Sequence, residues 1–210
     1  MPARAVVRAG YDLVSTVYED DAGGRGAALR LPWLGRLRDL VPSGGRVLDL
    51  GCGAGVPVAR DLARDHRVVG VDVSGVQLGR AQRLVPHAAY VQADIATVAF
   101  RHGVFDAVVC LYALIHVPVD DHRAVLARIA SWLRPGGVLM IITGHTATDS
   151  VERDWLGVPG ATMCWSHADW ATYRRWLDEL GYVLVHDEFV TEGDGGHHLA
   201  VARVGTASHL

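Results

Sequence analysis

The nine residues V-L-D-L-G-C-G-A-G at positions 47–55 decide the fold. A run of strand-forming residues carries one acid, Asp49, straight into glycines at 51, 53 and 55. A buried strand, a tight glycine turn and a helix start form the arrangement with which an α/β sheet presents a nucleotide site. Glycine lacks Cβ, so such a turn tolerates positive φ and lets a ligand approach the backbone closely. The helix expected over residues 56–65 directs its free N–H groups and positive dipole end toward that ligand.

The glycine spacing selects among nucleotides. A dinucleotide site requires G-x-G-x-x-G, whereas this chain has G-x-G-x-G with Asp49 two residues ahead. That pattern resembles motif I of the class I S-adenosylmethionine-dependent methyltransferases. The charges agree: a pyrophosphate avoids a nearby carboxylate, while the methionine end of S-adenosyl-L-methionine brings an ammonium that favours one. The resemblance implies that Asp49, Gly51, Cys52 and Gly53 contact this cofactor.

Working outward, residues 67–74 (R-V-V-G-V-D-V-S) read as a second buried strand ending in Asp72, followed by Val73 and a helix capped by Ser74. A carboxylate at that tip can accept two hydrogen bonds from a ribose diol. NAD sites use the same device, so Asp72 indicates adenosine without identifying the ligand. A third strand over residues 88–94 ends in Asp94 and is followed by Ile95. In the methyltransferase family an acid at this place accepts the adenine amino group and the next residue covers the ring; an N-cap is the alternative role for Asp94. A fourth strand from Phe105 leaves through L-Y-A-L-I-H-V-P (111–118), which resembles motif IV and places Leu111 and Tyr112 beneath the methionine part. Residues 120–132 read as a helix, 133–137 as a turn, 138–143 as a fifth strand, and 168–180 as a helix. Two further strands, 181–192 and 198–204, are joined by G-D-G-G. The expected fold is α/β: a Rossmann-like, doubly wound seven-stranded sheet whose last strand is antiparallel.

Two segments stand outside this core. In residues 1–45, helical spacing covers 6–18, a glycine-rich hinge spans 20–26, and a second helix runs over 27–40. Tyr11 and Tyr18, seven apart, share one helical face, and Y-D-x-x-x-x-x-Y before motif I resembles the cofactor lid of small methyltransferases; both tyrosines could equally anchor the helix. Residues 144–167 form an insertion after the fifth strand, at the carboxyl edge where ligands bind in open α/β sheets. Its Trp155, Met163 and Trp165, on a loop, suggest a cap over the substrate, with packing as core or against another subunit as the alternative. The chain reads as one domain, residues 1–210.

Chemistry falls to the histidines. His116, His145 and His167 are candidate bases, and His197 is a substrate contact at the last hairpin. All four are expected on one sheet edge. Methyl transfer from a sulfonium needs alignment and desolvation above all, with a base only for a hydroxyl or protonated amine. No spacing supports a metal site.

Composition sets limits. The chain has 210 residues, 50% hydrophobic and 20% charged, with net charge −3. That balance gives no electrostatic case for nucleic acid or an anionic membrane. Three cysteines without C-x-x-C spacing point to a reducing compartment, and no signal peptide or membrane-length apolar run is evident, so a cytoplasmic protein is expected. The function expected is methyl transfer to an oxygen or nitrogen of a small-molecule acceptor, by a monomer or homodimer. The alternatives are a protein of this fold that binds the cofactor without transferring methyl (a cyclase or partner subunit), and an NAD(P)-dependent oxidoreductase.

Overall fold

The computed structural model describes residues 3–18 and 25–205. Most of the expected glycine-rich hinge, residues 20–24, lies outside the described residues. The chain opens with helices α1 (Ala3–Val14) and α2 (Arg25–Leu40) and then enters the sheet at β1 (Arg46–Leu50). There follow α3 (Val58–Leu62), β2 (Arg67–Asp72), α4 (Gly75–Leu84), β3 (Ala89–Gln92), β4 (Phe105–Cys110), α5 (Val119–Trp132) and β5 (Leu133–Gly144). A ribbon of β6 (Thr148–Glu152) and β7 (Met163–His167) precedes α6 (Trp170–Glu179), β8 (Tyr182–Glu192) and β9 (Gly195–Val204).

Seven strands pair in the order β3-β2-β1-β4-β5-β9-β8, with β9 antiparallel to both neighbours. Period-two alternation divides their side chains between two apolar layers. Leu48 and Leu50 join Leu139 and Ile141 under α5 and α6, where Leu126, Ile129, Tyr173 and Leu177 meet them. Val47, Met140 and Ile142 face the other layer, against Trp33, Leu34 and Leu37 of α2 and Leu62 of α3. Both faces of β1 are thus covered, and only its carboxyl end is left for a ligand. That is the rule for open α/β sheets.

Three expectations are corrected. The helix after the glycine turn is a short one, Val58–Leu62, with Pro57 in front of it. The turn expected at 133–137 is taken into β5, which bends there through Gly136 at φ 76° and shifts register against β4. The segment 144–167, expected as a loop, is an antiparallel ribbon pairing Thr148 with His167 and Glu152 with Met163. Four of the five residues of β6 are exposed, so it lacks the apolar alternation that marks a strand in sequence.

A third apolar cluster contains no strand of the main sheet. Val7 and Val14 of α1 pack with Trp155, Ala161 and Met163 of the insertion, and Tyr11, Tyr18 and Trp165 lie against them. Gly10 is where the two segments come closest: a Cβ there would overlap the Thr162 carbonyl oxygen. The first helix and the insertion therefore form one packed body over the carboxyl end of the sheet.

Candidate active site

The glycine turn is shaped by contacts that side chains would prevent. Gly51, Gly53 and Gly55 all have positive φ (75°, 52° and 79°), and a Cβ on Gly51 would overlap that of Ala113. The Gly51 and Cys52 N–H groups donate to the Val71 carbonyl at 2.7 and 3.0 Å, tying the turn to the tip of β2. Asp72 stabilises the same turn. Its Oδ2 accepts from the Gly53 N–H at 2.9 Å and its Oδ1 from the Ser74 N–H at 2.8 Å. A carboxylate can accept from hydroxyls as well as from backbone N–H groups.

A cleft opens above this turn. It is lined by Asp49, Gly51, Cys52, Gly53, Asp72, Val73, Asp94, Ile95, Leu111 and Tyr112, together with Tyr11, Tyr18 and His116. Asp94 lines the cleft and starts a turn, not a helix. Its Oδ1 accepts from the Ala96 N–H at 2.7 Å, starting a turn, and its Oδ2 lies 3.2 Å from Arg4 Nε. Arg4, Arg30 and Gln77 also line the cleft and were not picked out in the sequence. A signal existed for Gln77, since Ser74-x-x-Gln77 is a capping-box pattern and the Gln77 N–H does donate to Ser74 Oγ. Gln77 is fully buried, and its Oε1 accepts from Ser15 Oγ at 3.1 Å.

A second cavity of about 470 Å³ adjoins the first, lined by Trp155, Trp165, Ile115, Glu192 and His197 among others. Five residues, Tyr11, Tyr18, Arg30, Tyr112 and His116, line both spaces and so form the boundary between them. Tyr112 holds φ 60°, a left-handed conformation uncommon for a bulky residue and a mark of local strain at a site. Its hydroxyl donates to Glu192 Oε1, and His197 Nδ1 lies 3.1 Å from Oε2. Burial pushes the Glu192 carboxyl up, but the hydrogen bonds from His197 and Tyr112 outweigh it and hold the group below its usual range.

His116 stands at the boundary with both ring nitrogens engaged. Its Nδ1 is 2.9 Å from the Cys164 carbonyl, which only accepts, so Nδ1 carries the proton. Its Nε2 then accepts from the Tyr11 hydroxyl at 3.0 Å. Burial, with the Cys164 hydrogen bond opposing it, lowers the imidazole pKa to about 4, so the ring is neutral near pH 7.

The other histidines are placed differently. His145 is exposed, 3.3 Å from His198 through the Nδ1 atoms, and its ring packs on Phe189. His167 is buried beside Gly144, with its Nδ1 lacking a hydrogen-bond partner among the described residues. Neither lines the two spaces. Met163 is buried in the cluster under α1 and lines neither space, whereas Trp155, Trp165 and His197 line the second. Among the described residues no group of His, Cys, Asp or Glu is arranged to hold a metal, and no helix is long and apolar enough to cross a membrane.

Residues 47–137 match the family model described as a methyltransferase domain. An uncharacterised methyltransferase of Synechocystis sp. is 34% identical over 194 residues, which cover 87% of this chain and 86% of that one. An uncharacterised methyltransferase of Mycobacterium tuberculosis is 39% identical over 107 residues; the match spans about half of each, 50% of this chain and 53% of the relative. In fold, the chain is similar to a magnesium protoporphyrin IX methyltransferase from Synechocystis with bound SAM (TM-score 0.69, 19% identity, 97% of each chain). It is likewise similar to the [4+2]-cyclase SpnF (TM-score 0.74, 19% identity, 98% of this chain and 97% of that one). A glycine turn that excludes Cβ atoms, three acids lining the cleft at or just past strand ends and a near full-length relative converge: the chain belongs to the S-adenosylmethionine-dependent methyltransferases, and S-adenosylmethionine is its cofactor.

Proposed function

We propose that the protein methylates an oxygen or nitrogen of a small molecule seated in the second cavity, with Tyr11 and His116 handling the acceptor's proton. The observation that carries this reading is the boundary shared by the two spaces, at which the Tyr11 hydroxyl meets His116 Nε2.

S-Adenosylmethionine supplies a methyl carbon made electrophilic by its sulfonium and recovers the carbon–sulfur electron pair as a thioether. Asp72 is suited to its ribose hydroxyls, Asp94 and Ile95 to adenine, and Asp49 with the turn of 51–53 to the amino-acid end. This chain's own residues then do three things. Trp155, Trp165, Tyr11 and Tyr18 exclude water around the acceptor, which strengthens a nucleophile that solvent would otherwise mask. Tyr112 and Ile115 bound the space in which it is aligned. The Tyr11 hydroxyl receives the acceptor's proton while passing its own to His116 Nε2, and the Cys164 carbonyl keeps the ring in the tautomer that leaves Nε2 free to accept.

Net charge −3 and the absence of a basic stripe favour a small acceptor over nucleic acid. We assign the whole chain to one functional unit, with α1 and the 144–167 ribbon as its covers. The test is incubation with S-adenosylmethionine and a pool of small phenols and amines, followed by mass spectrometry. A gain of one methyl group that disappears in His116→Ala is expected. Cofactor binding by calorimetry without transfer to any acceptor would instead favour a protein that uses the bound cofactor without methylating. Tight NADH binding in place of S-adenosylmethionine would overturn the reading.

A further inference from the structure

The second cavity has two kinds of wall, and their chemistry narrows the acceptor. One wall is aromatic. Tyr11 and Trp155 meet edge to face at 5.5 Å, Trp155 and Trp165 at 6.1 Å, and the Trp165 ring lies 4.5 Å from that of His116. Such a wall suits a flat, apolar body, which gains from ring contacts on top of area burial. The other wall carries the carboxylate of Glu192, fixed at both oxygens by Tyr112 and His197. A carboxylate pinned in this way is a ready acceptor for a hydroxyl or ammonium and a poor neighbour for another anion.

The geometry points to an acceptor that is a hydroxylated aromatic ring bearing a second hydrogen-bond donor, a hydroxyl or an amine, held by Glu192. This deepens the reading above and rests on it. The proton relay agrees: a base as weak as the buried His116 suits a phenol, whose pKa is near 10, far better than a much less acidic aliphatic alcohol. Arg30 lies over the Tyr112 ring at 5.0 Å and lowers the Glu192 carboxyl pKa, reinforcing the ionised form that receives the donor. Glu192 is thus assigned as a specificity-determining residue, selecting neutral or cationic phenols and excluding carboxylated ones.

The test uses three probes that differ at one substituent: 4-hydroxybenzylamine, 4-hydroxybenzyl alcohol and 4-hydroxybenzoate. Binding to the full chain saturated with S-adenosylhomocysteine is followed by tryptophan fluorescence, with Trp165→Phe identifying the signal from the cavity. The amine and the alcohol are expected to bind at least about tenfold more tightly than the benzoate. In Glu192→Gln the amine should lose that advantage and the benzoate should gain. Benzoate binding as tight as the amine in the wild type overturns the proposal, whether or not the variant folds. An unchanged order in a folded Glu192→Gln also overturns it. Failure of all three probes to bind overturns it too, and calorimetry of S-adenosylhomocysteine then shows separately whether the methyltransferase reading survives.

Discussion

Along β1 and β2 the cleft is shaped by backbone: N–H groups of Gly51, Cys52, Gly53 and Ser74 are bound to Val71 and Asp72 within a few residues of the strand tips. Above it, α1 reaches the same space through side chains, Tyr11 to His116 and Arg4 to Asp94. Ser15, just beyond the helix, meets Gln77, and the β6–β7 ribbon touches His116 through the Cys164 carbonyl. The floor inherits the rigidity of a sheet buried on both faces. The cover is held by a small apolar cluster and a few polar contacts, so it belongs to the less stable part of the molecule. Under the proposed function the floor mainly serves binding and the boundary beneath the cover serves reaction, so substitutions in each should fail differently.

The largest effect is expected in the floor. Gly51→Val would force a β-branched residue to φ 75° and overlap Ala113, so cofactor binding should vanish and the melting temperature fall, as calorimetry and circular dichroism would record. Retained cofactor affinity would mean that the turn is not the floor of the site.

Next comes the boundary. His116→Ala should lower turnover by about a hundredfold to ten-thousandfold with cofactor affinity nearly unchanged. In the wild type, His116 is neutral above its lowered pKa and accepts a proton there. The acid limb of kcat should accordingly lie near pH 4, well below that of a free imidazole. Closing the cover over a neutral ring also makes closure less favourable as pH falls from about 6.5 toward 4, where the exposed imidazole would bind a proton and the buried one would not. An acid limb at 6.5 in the closed enzyme would remove His116 from the role.

The cover offers a cleaner contrast. Gly10 has ordinary helical φ, so Gly10→Ala adds no backbone strain, yet its Cβ meets the Thr162 carbonyl. We expect turnover to fall about tenfold to a hundredfold as Tyr11 leaves His116. Hydrogen exchange in α1 should rise while the sheet stays protected, and the acid limb should move up toward 6.5. If the whole domain melts earlier instead, cover and floor are one cooperative unit. Smallest is Arg4→Ala. The ion pairs of Arg4 with Asp94 and Asp121 are partly exposed, worth less than about 1 kcal/mol, so calorimetry should show at most a severalfold change in cofactor affinity.

The same division explains what could be read in the sequence. Asp49 and Asp72 stand at the ends of strands marked by short apolar runs, Asp94 lies two residues past a third strand, and the glycine spacing is local too, so the floor was legible. Arg4 reaches Asp94 across ninety positions of chain, and Ser15 meets Gln77 across sixty-two. No pattern in either segment announces these partners. Histidines were legible as residues of the carboxyl edge, but not which one turns inward. That depends on the Cys164 carbonyl, whose position follows from a ribbon without strand periodicity. Met163 shows the same ambiguity: a large apolar residue in a cap serves a ligand or the packing beneath it, and here the packing holds it.

The ribbon leaves and rejoins the sheet at nearly one point. The Trp170 N–H donates to the His145 carbonyl at 3.1 Å, and Thr148 already pairs with His167. An excursion with adjoining ends places little demand on its host, since lengthening such a loop costs only about 0.6 kcal/mol per doubling. By its connection to the sheet it can be exchanged as a cassette, provided that its contacts with α1 and the Cys164 carbonyl on His116 are kept. Exchange of these two dozen residues for a longer or shorter ribbon would leave β5, α6 and the glycine turn where they are. Acceptor choice can then diverge among descendants of this chain while the methyl donor stays the same.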